Sequence, residues 1–306
     1  MAPIETSGPQ AADKQSATNL FAGTEGIYLL PHHVKEIERL RTQHDFILSS
    51  TGGVLLTAPL DRPKIKVLDS GAADGTWLLD LPRLYPAHEW SLHGVDIGSA
   101  LFPPKAGPYA SLDLRQFDIR SPTPPDPTWV NTFDLIHQRL LIWGLRGPEW
   151  PGVLRNHHSL LKPGGWIQLV EGQWVDRDHP FDAPRYPNLA KMSQMQKWST
   201  SNFGMDIEIA YRLEDLLREA GFQGVAKTQL SLSYGAKARE EQWKQRSADM
   251  WVDKFRGLGS KLPEGGIPGV ARNVEEFYAF LDELHSEVLE YGYQPTLNFV
   301  IGQKPA

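Results

Sequence analysis

Short apolar segments alternate with amphipathic or polar stretches between residues 65 and 172, and this alternation most constrains how the chain can fold. Each apolar segment has the length of a strand, and most of the stretches between them are long enough to cross back over a sheet. The predicted strands are Ile65–Leu68, Trp90–Ile97, Leu112–Ile119, Phe133–His137 and Trp166–Gly172. This pattern predicts a parallel sheet that is covered by helices on both faces.

The C-terminal half of the chain adds two strands and several helices. Strands are predicted from Val225 to Tyr234 and from Thr296 to Lys304, and we expect them to form an antiparallel pair at one edge of the sheet. Val274–Tyr291 has apolar residues at helical spacing between these two strands. The predicted fold is therefore α/β: a Rossmann-like sheet of seven strands, mostly parallel, with an antiparallel C-terminal edge strand.

No internal repeat or low-complexity linker divides the chain. Residues 1–24 lack the basic start and apolar core of a signal peptide. We expect them to form a disordered N-terminal tail. Residues 25–306 are expected to form a single domain. Helical insertions are predicted near residues 176–210 and 236–272, where they would cover a substrate.

Charge and composition argue against several classes of function. The 306 residues carry a net charge of −6 with no block of like charges, which argues against general binding of nucleic acid. The absence of cysteine removes disulfides and thiolate chemistry. No stretch approaches the roughly 20 apolar residues that span a bilayer. We therefore expect no membrane partner and a cytoplasmic location, with the nucleus as the alternative and a homodimer left open.

The first predicted strand runs into the sequence DSGAADG, which begins at Asp69. In a doubly wound sheet, a glycine-rich turn at this point lines the crevice that holds a nucleotide-containing ligand. Gly71, Ala73 and Gly75 do not form the Gly-x-Gly-x-x-Gly pattern of a pyrophosphate site, and Asp69 and Asp74 would repel that dianion. The loop instead suits S-adenosylmethionine (SAM), which carries an ammonium and a sulfonium.

Two further carboxylates end the next two predicted strands. Asp96 ends the second strand, where it could accept hydrogen bonds from both ribose hydroxyls, and Asp118 ends the third strand, beside the adenine. The residues that follow them, Ile97 and Ile119, are assigned to the same cofactor site. Each aspartate alone could equally be a helix cap or a turn residue. The whole set, together with the glycine loop, favours a SAM site.

With these residues in view, the chain resembles class I SAM-dependent methyltransferases, and more narrowly the fungal methyltransferases of secondary metabolism that include the LaeA-like proteins. The resemblance is carried by VLDSGAADGTW, FDLIHQR, LLKPGGWIQLVEG and the N-terminal stretch YLLPHHVKEIERLRTQH. It covers residues 25–172 by motif and the C-terminal part in general layout only. The resemblance implies SAM as the cofactor and a role for Tyr28 in closing over it.

The glycine loop departs from the family pattern at its centre. The usual middle glycine is Ala73, and the cysteine often found just upstream is Ala72. A methyl group at Ala73 could crowd the methionine part of the cofactor. We expect the site to remain open, because an alanine with a negative φ needs little room.

Methyl transfer to a heteroatom is an in-line displacement, in which the protein mainly aligns the acceptor, the methyl group and the sulfur. A general base is needed only when the acceptor atom carries a proton. His137, at the end of the fourth predicted strand, is the first candidate for a catalytic role, and Glu171, at the end of the fifth, is the second. Each has a structural alternative: His137 could hold the loop after its strand, and Glu171 could be a satisfied buried carboxylate.

Aromatic residues indicate the nature of the acceptor. Trp143, Trp174, Trp198 and Trp251 lie in segments that could wall an acceptor pocket, which suits a flat or apolar small molecule. Each could equally be an ordinary core residue. The paired histidines at 32–33 and 157–158 have no carboxylate at ligand spacing, so no metal site is predicted.

The sequence therefore predicts a SAM-dependent O- or N-methyltransferase that acts on a small-molecule fungal secondary metabolite. Two alternatives stay open. One is a LaeA-like regulatory protein that acts in a protein complex, and the other is a SAM-binding enzyme that catalyses a rearrangement without transferring methyl.

Overall fold

The computed structural model describes residues 34–306, with side chains from Glu36 onward. Its centre is one seven-stranded sheet in the order β3-β2-β1-β4-β5-β7-β6. The strands are β1 (Lys64–Ser70), β2 (Glu89–Asp96), β3 (Asp113–Gln116), β4 (Phe133–Arg139), β5 (Leu161–Gln173), β6 (Gln223–Ser231) and β7 (Thr296–Gln303). The predicted Rossmann-like sheet is thus confirmed.

Helices surround this sheet. Within residues 34–306 they are α1 (Val34–Thr51), α2 (Thr76–Leu84), α3 (Trp150–Leu160), α4 (Pro187–Asn202), α5 (Ile209–Glu219), α6 (Glu241–Arg256) and α7 (Val274–Tyr291). Helix α4 lies in the predicted insertion at 176–210, and α6 lies in the one at 236–272. Over the same part of the chain, no helix is both long and apolar enough to cross a membrane.

The two central strands position the site. β1 and β4 pair in parallel, with Asp69 opposite His137. Almost all of β4 is buried, and so is the second half of β1. Burial on both faces explains why these strands are continuous apolar runs rather than alternating ones. Because the strand order reverses between β1 and β4, a crevice opens at their carboxyl ends.

The C-terminal strand takes an inner position. β7 is antiparallel to both β5 and β6, so the predicted antiparallel pair is present. However, β7 lies between its two neighbours, and β6 forms the edge of the sheet. β6 is mostly exposed, whereas β7 is mostly buried. The more apolar of the two strands therefore occupies the covered position.

The connection into β5 differs from the prediction. Helix α3 ends at Leu160, and β5 begins at Leu161 rather than at the predicted Trp166, so the strand includes the Pro-Gly-Gly segment. The pairing with β4 shifts register between Phe133 and Leu135, and Gly164 has a φ of +75°. A Cβ on Gly165 would lie 3.0 Å from the carbonyl oxygen of Phe133. The glycines thus let the strand bend and approach β4 closely.

Five buried aromatic residues form a cluster that joins α1 to the C-terminal segments. The ring of Tyr234 lies 4.6 Å from Phe46 of α1, 4.8 Å from Trp251 of α6 and 5.8 Å from Tyr293, which precedes β7. Trp174, just after β5, lies 5.0 Å from Trp251. This aromatic cluster (Phe46, Trp174, Tyr234, Trp251 and Tyr293) holds α1 and α6 beside each other.

Helix α4 begins at a buried carboxylate that another helix supplies. Glu287 of α7 accepts hydrogen bonds from the backbone N–H groups of Asn188 and Leu189, both at 2.9 Å, and from the side-chain amide of Asn188 at 3.0 Å. A carboxylate there satisfies N–H groups that the first helical turn leaves unpaired, and it interacts favourably with the helix dipole. Glu287 therefore ties α4 to α7.

We expect Glu287→Gln to lower the free energy of unfolding by about 1–3 kcal/mol, because an NH2 group would then face backbone donors. Glu290→Gln, on the exposed side of the same helix, is the matched control and should change it by less than about 0.5 kcal/mol. Urea unfolding followed by circular dichroism measures both variants. Equal losses in the two would contradict the capping role.

Candidate active site

A cleft opens at the carboxyl ends of β1, β2 and β4, beneath α1 and α6. The predicted cofactor residues that line it are Asp69, Gly71, Ala73, Asp96, Ile97, Asp118 and Ile119. Gly75 lies just outside the lining, at the start of α2. The prediction for Tyr28 concerns a residue outside the described part of the chain. The structure thus brings most of the predicted cofactor residues to one cleft.

Two glycines give the loop after β1 its shape. Gly71 and Gly75 have φ angles of +82° and +79°, which strongly favour glycine. A Cβ on Gly71 would lie 2.9 Å from a methyl carbon of Leu141, in the loop after β4. The loop after β1 can therefore pack closely on the loop after β4 because residue 71 has no side chain.

The prediction that Ala73 keeps a negative φ is wrong, because its φ is +48°. In this conformation the N–H of Ala73 donates to Oδ2 of Asp96 at 3.0 Å. The left-handed region costs an alanine roughly 1–2 kcal/mol relative to the ordinary right-handed one. Ala73 therefore keeps the backbone path expected of a glycine while carrying a methyl group into the cleft lining.

Asp96 and Asp118 are held in different ways. Asp96 accepts hydrogen bonds from the N–H groups of Ala73 and Gly98, at 3.0 and 3.2 Å. Asp118 forms a bidentate pair with the guanidinium of Arg120, at 2.7–3.1 Å, and this pair lowers the pKa of Asp118. Because β3 ends at Gln116, Asp118 lies in the loop beyond the strand rather than at its end.

His137 has a fixed orientation at the cleft wall. Its Nδ1–H donates to Oδ1 of Asp69 at 2.7 Å, and its ring stacks on Trp77 with centroids 3.7 Å apart. The side chain is 1% exposed, and burial lowers its pKa, so the ring is neutral at pH 7. Among the described residues, Nε2 has no hydrogen-bond partner. His137 therefore offers a lone pair at a residue that lines the cleft.

Glu171 lies behind the cleft wall. Its Oε1 accepts a hydrogen bond from the N–H of Leu141 at 2.6 Å, and Glu171 is absent from the lining formed by the described residues. Burial raises its pKa to about 8, so the group is mostly protonated at pH 7. This geometry indicates a structural role, in which Glu171 anchors the loop after β4, although its Oε2 has no hydrogen-bond partner among the described residues. The catalytic role of Glu171 stays a prediction, because Glu171 does not line the cleft in the described part of the chain.

The sequence reasoning missed three cations that line the cleft, Arg120, Arg139 and Lys254. Arg139 donates to Nδ1 of His44 at 3.1 Å, and Nε2–H of His44 donates to Asp80 at 2.9 Å. Lys254 of α6 has its Nζ 3.1 Å from the ring centroid of Trp251. Arg139 follows the candidate histidine by two residues on a strand, and that spacing was a usable signal. Nothing in the sequence of α6 singles out Lys254.

The predicted aromatic wall is present in part. Trp143 and Trp174 line the cleft. Trp251 is 2% exposed and lies against Trp174, while Trp198 is half-buried on α4 and packs against the core. Within residues 34–306, no group of three or more His, Asp or Glu side chains is arranged to hold a metal ion.

We expect Ala73→Gly to raise the free energy of unfolding by about 0.5–1 kcal/mol, because relief of the left-handed strain outweighs the added chain entropy. Ala72→Gly is the matched control at the neighbouring, buried position, which does not have a positive φ, and it should be destabilising by about 1 kcal/mol. Thermal unfolding measures both variants. A loss of stability in both would contradict the strain at Ala73.

Comparison with known proteins agrees with this geometry. A family of methyltransferase domains matches residues 42–227. N-methyltransferase sirN of Leptosphaeria maculans is 33% identical over 92% of this chain and 96% of its own length. N-methyltransferase gliN of Aspergillus fumigatus is 31% identical over 92% of this chain and 98% of its own length. The secondary metabolism regulator laeA of Fusarium oxysporum is 26% identical over 65% of this chain and 62% of its own length.

These matches confirm the resemblance that the sequence motifs predicted. The matched family region contains the glycine loop, both central strands and the cleft residues from Gln43 to Trp174. The two N-methyltransferases each match 92% of the chain. The chain therefore belongs to the methyltransferase-domain family and is a class I SAM-dependent methyltransferase.

Proposed function

We propose that this enzyme transfers the methyl group of SAM to a nitrogen atom of a small, flat or largely apolar fungal secondary metabolite. The names of sirN and gliN, both N-methyltransferases, support nitrogen over oxygen as the acceptor atom. The observation that carries the acceptor class is the number of apolar side chains in the cleft lining. They include Leu141, Ile142, Trp143, Trp174 and Phe255.

The cleft residues fit SAM. The carboxylates of Asp69, Asp96 and Asp118 line the cleft, and a ligand with an ammonium and sugar hydroxyls needs such acceptors. Asp69 would hold the ammonium, Asp96 the ribose hydroxyls, and Ile97 and Ile119 would border the adenine. When bound, SAM supplies an electrophilic methyl group. The cleft residues hold and orient the reactants.

His137 is the group that would accept a proton from the acceptor nitrogen. Its Nδ1–H is fixed by Asp69, so the lone pair is on Nε2, where the described residues place no partner. As the nitrogen forms its bond to the methyl carbon, the N–H proton would move to Nε2. The carboxylate of Asp69 would then stabilise the imidazolium. Trp77, stacked on the ring, keeps the imidazole in this plane.

The proposed function is tested with SAM labelled with carbon-13 in the methyl group. The acceptors are pairs of flat heterocyclic molecules that differ only in having an N–H or an O–H at one position. We expect S-adenosylhomocysteine to form with N–H members, and the carbon chemical shift of the transferred methyl to be that of N–CH3. Asp96→Ala is the control, because loss of the carboxylate proposed to bind the ribose should prevent SAM from binding.

Transfer to the O–H members alone would contradict nitrogen as the acceptor atom. If the protein binds SAM but transfers methyl to no acceptor, both alternatives that the sequence left open gain support. Conversion of an acceptor without methyl loss would identify a rearrangement. A stable protein complex would favour the regulatory role that the match to laeA suggests.

A second prediction concerns His137. In the wild type, kcat should fall as pH drops through a pKa below the ordinary value of about 6.5, because protonated His137 cannot accept a proton. His137→Gln should lower kcat by roughly 10²–10⁴-fold and remove this pH dependence. Calorimetry should show SAM affinity within a few-fold of wild type. An unchanged kcat would show that His137 only holds the loop.

A further inference from the structure

Arg139 is a cation inside the cleft that forms no hydrogen bond to a carboxylate of the described residues. It ends β4 and lines the cleft. Its only hydrogen bond within residues 34–306 is to the neutral ring of His44, at 3.1 Å. Burial lowers the pKa of Arg139 to about 10, which shows how strongly the cleft disfavours its charge. A guanidinium in such a place is costly unless a carboxylate or another anion pairs with it.

The nearest carboxylates are engaged with other groups. Asp80 accepts from His44 at 2.9 Å and from Arg83 at 2.7 and 2.8 Å. Oδ1 of Asp69 accepts from His137. Both aspartates attract Arg139 from a distance, and neither forms a hydrogen bond with it among the described residues. Arg139 therefore keeps donors available for a ligand.

Arg120 provides a contrast within the same cleft. Its guanidinium forms a bidentate pair with Asp118 and a further bond to Glu149 at 3.3 Å. Arg39, which also lines the cleft, pairs with Glu36 at 2.6 Å. Of the three arginines in the lining, Arg139 is therefore the one without a carboxylate pair among the described residues. Arg120 lies beyond β3 and Arg139 at the end of β4.

The strand register places Arg139 beside the glycine loop. Ser70, the last residue of β1, is opposite Gln138, so Arg139 lies at the level of Gly71. His137 and Arg139 are two residues apart on a strand and share one face. The loop that follows Arg139 packs on Gly71 through Leu141. Arg139 is thus next to the segment that would hold the methionine part of the cofactor.

We infer that Arg139 binds the α-carboxylate of the methionine part of SAM. This carboxylate is the anionic group of the cofactor, and a guanidinium can bind it through two parallel hydrogen bonds. Asp69 and Arg139 would then hold the ammonium and the carboxylate of the same amino acid. The inference concerns the cofactor only, so it does not depend on the identity of the acceptor.

The test compares SAM with decarboxylated SAM, which keeps the sulfonium, the adenosine and the amine but lacks the carboxylate. Calorimetric titration of the wild type should show SAM binding at least about 10-fold more tightly. In Arg139→Gln this preference should fall to within about 3-fold, through weaker SAM binding and with little change for the decarboxylated compound. Binding of the latter also reports that the variant is folded.

Arg120→Gln is the matched control, with the same substitution at the paired arginine. It is expected to weaken both ligands by a similar factor through Asp118 and to preserve the wild-type ratio of affinities. Equal affinity of the wild type for the two compounds would overturn the inference. The same holds if Arg139→Gln weakens both ligands equally, if Arg120→Gln removes the preference instead, or if the folded wild type binds neither.

Discussion

The hydrogen bond between Asp69 and His137 is the interaction on which the rest of the site depends. It joins the ends of β1 and β4, the two strands between which the order of the sheet reverses. Both side chains are buried, so loss of either would leave a polar group unsatisfied at a cost of about 1–3 kcal/mol. The same bond fixes the tautomer of His137. The same two side chains therefore stabilise the fold and orient His137 in the site.

Charged side chains of both signs line the cleft. Asp96, at the end of β2, and Asp118, beyond β3, each receive hydrogen bonds from the protein. Asp69 and Arg139 lie near each other at the ends of β1 and β4, and Lys254 lies against aromatic rings. Poorly solvated charges of opposite sign would orient a ligand that carries both an ammonium and a carboxylate.

The sequence predicts this architecture because apolar periodicity and glycine placement are local signals. Apolar patterns in the sequence predict six of the seven strands with both ends correct to within about three residues. The start of β5 was missed because Pro-Gly-Gly resembles a helix stop, while the register shift that absorbs it depends on the partner strand. Similarly, the sequence does not show whether β6 or β7 takes the inner position in the sheet, because that depends on how the two strands pack against β5.

The residues of the site were predictable to different degrees. The sequence motifs reveal where the first two strands end, and these ends identify Asp69, Asp96 and the glycines. The φ of Ala73 is set by its bond to Asp96 and is invisible in a list of residues. The position of Glu171 behind the wall follows from the loop that it anchors. The spacing of Arg139 from His137 was a signal that the sequence reasoning did not use, whereas its lack of a carboxylate partner among the described residues is seen only in the packing.

The aromatic cluster has a consequence for how this enzyme could acquire new acceptors. Its five large rings fill the space between α1, α6 and the ends of β5 and β7 at the density of a protein core, where a change in volume strains every neighbour. Trp143 and Leu258 line the cleft outside this cluster. Acceptor preference should therefore diverge first at lining positions outside the cluster, while the cluster changes only through coordinated, volume-conserving replacements.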